Sequence, residues 1–178
     1  MEKEEIKNYI TQSLYLLMKN TSYEKITMDM IANKAGVSRR TIYRYFINKQ
    51  EILDEFFSQL IESYKGKIND RQSSSNIILT SFEFIFDNFE TFIIAKKNNL
   101  LSKITNVIEE VVKKIVANNQ NTQNWSKDYL DYYTSFVSGG IYLMLYEWFK
   151  HDTRKSPNEM FELYKNVISD LDKRISDI

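Results

Sequence analysis

Apolar residues recur at intervals of three and four along nearly the whole chain, a spacing that predicts helices joined by short polar breaks. Ile6, Ile10, Leu14 and Leu17 give the first stripe, on a helix over residues 3–19. Residues 20–25 are polar and read as a connection, with Tyr23 as a packing residue. A longer stripe runs through Ile52, Leu53, Phe56, Phe57, Leu60, Ile61 and Tyr64, the apolar face of a long helix that should link head to body. The serine-rich run DRQSSS at 70–75 is the clearest break, and the next helix starts there. From Asn76 to residue 93 apolar and aromatic side chains crowd together, as in a segment buried on more than one side. After a short break at 97–99, Leu101, Ile104, Ile108, Val111 and Ile115 repeat helically, and the polar run 117–124 reads as a loop. Residues 125–149 form an aromatic-rich helix. Ser156 caps the last one, with Pro157 at its first position and Glu159 completing a capping box. Met160, Tyr164, Val167 or Ile168, Leu171 and Ile175 are its stripe.

Residues 26–53, ITMDMIANKAGVSRRTIYRYFINKQEIL, are more finely divided. Thr27 is a good N-cap, and Asp29 places a negative charge in the first turn, where it is favoured. Ile31 and Ala35 share one face, and Ala32 is small enough to let another helix approach. Gly36 follows, where a helix end needs a residue that tolerates positive φ. Ser38 caps a second helix over 39–46, and Val37 and Ile42 have the spacing of a hydrophobic staple. On this helix Ile42 and Phe46 point inward, while Arg39, Arg40, Tyr43 and Arg44 share the opposite side. Arginine grips guanine bidentately, and a tyrosine hydroxyl reaches phosphate. A third helix starts at once. Asn48 caps it, Glu51 completes a box, Ile47 and Ile52 have staple spacing, and Lys49 in the first turn suits a phosphate anchor.

This stretch closely resembles the helix-turn-helix DNA-binding domain of TetR-family transcriptional regulators. The resemblance is carried by T-x-x-x-I-A-x-x-A-G-V-S from Thr27, by T-I-Y-R-Y-F from Thr41 and by N-K-Q-E-I-L from Asn48. It implies that residues 38–45 enter the major groove and that Tyr43, Tyr45 and Lys49 hold phosphates. The expected DNA-contacting set is Thr27, Ser38, Arg39, Arg40, Thr41, Tyr43, Arg44, Tyr45 and Lys49. A second run, FVSGGIYLMLYEWFKHDTRKSPNEM at 136–160, resembles the C-terminal regulatory domain of a Firmicute-type branch of the same family. It implies that the last two helices pair with their copies in a second subunit. The family often places a ligand pocket among its body helices. Phe82, Phe86, Phe89, Tyr129, Tyr133 and Phe136 are candidate lining residues, with plain core packing as the alternative for each.

Composition adds further constraints. A 178-residue chain with 43% hydrophobic and 14% aromatic residues is that of a folded protein. One proline and four glycines favour long uninterrupted helices, and the absence of cysteine excludes disulfides and thiolate metal sites. No apolar run approaches the ~18 residues of a membrane span. The N-terminus is acidic and mixed, unlike a signal peptide, so the cytoplasm is the expected location. The formal net charge is zero, yet residues 1–50 hold nine lysines and arginines against five acidic residues, leaving fifteen against nineteen beyond. A basic head on an acidic body is the footprint of a chain that meets nucleic acid at one end. Gly139 and Gly140, inside the aromatic helix, each cost about 1 kcal/mol relative to alanine. A close approach by another helix or by a ligand would justify that cost.

An enzymatic reading has little to stand on. His151, the sole histidine, lies in the charged run KHDTRK with no nucleophile or orienting partner in any motif. There is no phosphate-cradling glycine loop and no histidine pair for zinc, so neither metal nor cofactor is expected. Glu109 and Glu110 face Lys113 and Lys114 at helical spacing and read as surface ion pairs. The expectation is an all-α protein. A three-helix helix-turn-helix domain occupies residues 1–50, and a helical ligand-binding and dimerisation domain occupies 51–178. As a homodimer it would bind a palindromic double-stranded operator, as a repressor answering a small apolar or aromatic effector. The alternative is a body that docks a partner protein. A body pocket would favour the first, a flat exposed aromatic patch the second.

Overall fold

The computed structural model describes residues 3–68, 72–117, 122, 124–150 and 154–175, with side chains to residue 170. His151, part of the 70–75 break and most of the 117–124 run lie outside these residues. Among the described residues all regular structure is helical: α1 Lys3–Met18, α2 Met28–Ala35, α3 Arg39–Tyr45, α4 Lys49–Lys65, α5 Ser74–Asp87, α6 Phe89–Lys97, α7 Thr105–Ala117, α8 Lys127–Trp148 and α9 Pro157–Ile175. Short 3₁₀ turns occupy Tyr23–Lys25 and Leu101–Ile104. None of these helices is long and apolar enough to cross a membrane.

The helix ends follow from local chemistry. Thr27, Ser38, Ser73 and Ser126 each accept the backbone N–H three residues on, satisfying a donor that the first helical turn leaves unpaired. Gly36 closes α2 at φ +67°, the left-handed conformation that costs glycine least. Asn99 closes α6 at φ +57°, and the Leu100 N–H returns to the Ala95 carbonyl at 2.8 Å.

The chain divides into two compact units. The first is Met1–Ser63 with Ile94–Lys103. Here α1 packs on α2, and α2 on α3. Its core is Ile6, Ile10, Leu14 and Met18 of α1 with Ile26, Ile31, Ala32, Ile42, Phe46, Ile52 and Leu53. Met18 is buried at the end of the α1 stripe, where the spacing had suggested Leu17. The distant segment 94–103 joins this unit through buried Asn98 and Leu101, and through a 2.6 Å ion pair from Lys103 to Asp54 of α4.

The second unit is Tyr64–Ile93 with Ile104–Ile178. Here α7 packs on α8, and α5 on α9. Three features differ from the sequence pattern. The aromatic run is split at Asn88, whose side-chain amide donates to the Phe84 carbonyl at 2.8 Å and closes α5. In α7 the buried residues are Val112 and Val116, one position on from Val111 and Ile115. Through Gly139 and Gly140, α8 runs unbroken, and a methyl group at either would meet nothing within 4 Å. The close approach expected there is therefore not made within the described part of this chain.

Candidate nucleic-acid interface

The third helix of the head, α3, has an apolar underside and a cationic outer face. Ile42 and Phe46 are buried, which turns Arg39, Arg40, Tyr43 and Arg44 outward. Ser38 accepts the Thr41 N–H at 3.0 Å, and its hydroxyl lies 2.8 Å from the Thr41 hydroxyl, so two small polar groups sit together where α3 begins. The three arginines differ in their neighbours. Arg39 donates to Asp29 of α2 at 3.1 Å, and its guanidinium lies 5.7 Å from the Tyr43 ring centroid. Arg44 donates to the Tyr45 hydroxyl at 3.2 Å and rests 4.9 Å from that ring. Arg40 is exposed and has no hydrogen-bond or ion-pair partner among the described residues. Thr27, the N-cap of α2, accepts the Met30 N–H on its hydroxyl at 3.2 Å.

Lys49 sits differently from the rest. It is half-buried, and its ammonium donates to the carbonyls of Tyr23, Glu24 and Ile26 at 2.8, 3.0 and 3.0 Å. The start of α4 is otherwise built as its motif requires: the Asn48 side chain accepts the Glu51 N–H at 3.0 Å. Glu51 reaches back to the Ile47 N–H at 2.6 Å, but Ile47 itself is 78% exposed and makes no staple with buried Ile52.

Two family models match the chain: bacterial regulatory proteins of the tetR family over residues 17–56, and a transcriptional regulator C-terminal region over residues 72–170. The chain belongs to the TetR family. Among curated relatives, the uncharacterized HTH-type transcriptional regulator YhgD of Bacillus subtilis is 40% identical over 53 residues, 30% of this chain and 28% of that protein. The HTH-type dhaKLM operon transcriptional activator DhaS of Lactococcus lactis is 32% identical over 116 residues, 55% of this chain and 62% of that protein. The aligned stretches thus span less than two thirds of either relative. The solved structure of a dihydroxyacetone kinase operon activator DhaS covers 97% of both chains with TM-score 0.67 at 18% identity. A putative fatty acid metabolism regulator from Clostridium perfringens covers 88% of this chain and 94% of its own, with TM-score 0.63 at 19% identity. Such identities establish a shared fold, and with the family models they make this chain a DNA-binding transcriptional regulator of helix-turn-helix type.

In the body of this TetR-family chain the six expected lining residues fall into separate surroundings. Phe82 and Phe89 pack against Trp148 with ring centroids 5.9 and 5.6 Å apart, and Phe86 lies under the Arg154 guanidinium at 3.6 Å. Tyr129 and Tyr133 gather around Trp125, at 4.7 and 4.9 Å. Phe136 is exposed. Burial raises the pKa of Tyr164, and the neighbouring Tyr133 raises it further. Among the described residues the Ser138 hydroxyl and the Trp148 indole N–H are buried without a hydrogen-bond partner. Sequence reasoning missed Trp148, Arg154 and Asn98. Trp148 was visible only as one more aromatic, and Asn98 only as part of a polar break.

Proposed function

We propose that this protein is a homodimeric repressor that binds a two-fold operator through α3 and answers an effector held in its body. The outer face of α3 is the observation that carries the reading. A seven-residue helix whose underside is buried, with Arg40, Tyr43 and Arg44 turned to solvent, has the form of a major-groove reader. In this reading Arg40 and the Ser38–Thr41 hydroxyls meet base edges, while Tyr43, Tyr45, Arg44 and Thr27 border the phosphates. Residues 1–50 then serve DNA binding, and 51–178 serve regulation and dimerisation. The cytoplasm, where the DNA is, is its place of action.

Two observations support the finer parts. The aromatic cluster of Phe82, Phe89 and Trp148 contains an indole N–H with no partner among the described residues, a donor suited to an oxygen on an otherwise apolar effector. The outer side of α8 exposes Tyr132, Phe136 and Leu143 next to its glycines, a face suited to a second copy. That same face supports a second reading, in which the body docks a partner protein instead of binding a small molecule. The relative DhaS is named as an activator, so the direction of control belongs to the test as well.

Selection of bound duplexes from a random pool tests the reading directly. An inverted repeat is the expected product. A recovered motif without two-fold symmetry would remove the dimeric operator from the proposal. Transcription from a promoter carrying that site, with and without the protein, then separates repression from activation.

A further inference from the structure

Lys49, Tyr23 and Asn98 are far apart in sequence and meet at one turn of the first compact unit. An ammonium has three protons, and each of those on Lys49 is matched by a main-chain carbonyl, of Tyr23, Glu24 or Ile26. The same ammonium lies 4.6 Å from the centroid of the Tyr23 ring, which adds a cation–π attraction. Asn98 grips the turn from another side. Its Oδ1 accepts the Tyr23 N–H at 2.6 Å, while its Nδ2 donates to the Ile94 carbonyl at 2.8 Å. Asn98 is 4% exposed, so neither bond is easily exchanged for water. The Tyr23 hydroxyl adds a 3.3 Å bond to Gln50. Ile26 leads directly into Thr27, the cap of α2, and α2 carries α3.

We propose that Lys49 and Asn98 are positioning residues for DNA recognition: together they clasp the Tyr23–Lys25 turn and so fix where α2 and α3 begin. Lys49 in this role does not hold a phosphate. To reach one it would have to release three carbonyls, two of them partly buried, and surrender the ring contact at the same time. The proposal deepens the reading of α3 as the DNA-reading helix and rests on it.

The test uses the full chain as Lys49→Met, Lys49→Arg and Asn98→Leu, each checked by circular dichroism and studied well below its unfolding midpoint. Affinity is measured over a salt series for the selected operator and for an unrelated duplex. Met and Leu remove donors and acceptor at similar size. Arg keeps the charge, but its planar fork does not match three converging carbonyls. All three variants should lose about tenfold or more on the operator, as for a lost charged hydrogen-bond set, and less on unrelated DNA. The salt slope should stay at its wild-type value. A salt slope lowered by about 0.9 in Lys49→Met, with equal losses on both duplexes, would instead mark a phosphate contact and overturn the proposal. Wild-type operator affinity in Lys49→Arg or in Asn98→Leu would overturn it too. Lys49→Arg, the mildest change, keeps the test decisive where Met or Leu unfolds the head. Arg40→Ala in the same series reports on α3 itself, so a failure of the α3 reading is seen separately from a failure of the clasp.

Discussion

Arg40 stands apart from the other arginines of α3. Arg39 is tied to Asp29 and Arg44 rests on Tyr45, so each would give up a partner on binding DNA, whereas Arg40 has none to give up among the described residues. Arg40→Ala should therefore cost about 1–3 kcal/mol of discrimination at one base pair, read by competition between operators altered one position at a time. Tyr43→Phe should weaken operator and unrelated DNA alike. A uniform loss in Arg40→Ala would move Arg40 to the phosphates. The outward arginines were legible from spacing on one helix. Their unequal pairing was not, because Asp29 lies on α2 and only the packed fold brings it to Arg39. The same holds for Asp54, whose partner Lys103 is 49 residues away. The Lys103 hydrogen bond is the main cause holding the Asp54 carboxyl below its ordinary range. A depressed folded-state pKa means stability that is present above the unfolded pKa and lost as pH falls through the folded one. Both side chains are about a third exposed or more, so the pair contributes less than about 1 kcal/mol. Asp54→Asn should lose that much near neutral pH and nothing once the pH has fallen below the folded-state pKa, compared by urea unfolding.

Helix starts were the most legible elements, because a cap and its box lie within four residues of sequence. Ser156 and Glu159 show this: the Ser156 N–H donates to the Glu159 carboxylate at 2.7 Å, and the Glu159 N–H returns to the Ser156 hydroxyl at 3.3 Å. Ser156→Ala should cost about 1 kcal/mol, seen as a lower thermal midpoint, and Ser156→Asp should restore most of it. An unchanged midpoint in Ser156→Ala would mean that α9 is set by packing alone. The end of α5 was less legible. Asn88 follows Asp87 inside a run whose apolar residues continue at Phe86 and Phe89, so periodicity gave no sign that it would turn its amide back to Phe84. The inward face of α7 was ambiguous for a related reason: Val111 with Ile115 and Val112 with Val116 are both stripes of spacing four. Packing on α8 selects the second pair, and no local pattern records that choice. The Ile47 staple failed because Glu51 already holds the chain entry through the Ile47 N–H, leaving the side chain in solvent.

At the scale of the whole molecule the outer side of α8 asks what covers it. Tyr129, Tyr132, Phe136 and Leu143 are 53, 80, 75 and 64% exposed, at intervals of three and four with Gly139 in the gap. A row with that spacing suits the seam of paired helices, and a small residue in its middle would let two backbones come close. A two-fold pairing through this face would present two copies of α3 to successive major grooves, about 34–36 Å apart or a multiple of it. The glycines make the idea testable, because among the described residues neither has a neighbour of its own within reach of a Cβ. In an isolated chain Gly139→Ala should raise helix stability by roughly 0.5–1 kcal/mol, with nothing to clash. In a dimer Gly139→Leu should push the helices apart, at a typical overpacking cost of about 1–3 kcal/mol, and operator binding should fall with it. Sedimentation of wild type and both variants, with operator binding on the same samples, reads these effects separately. A glycine that serves an effector would behave otherwise: the leucine variant would stay dimeric and lose only its response. A wild-type chain that stays monomeric at concentrations where it grips its operator would end the dimer proposal, and the exposed row would then belong to a partner protein.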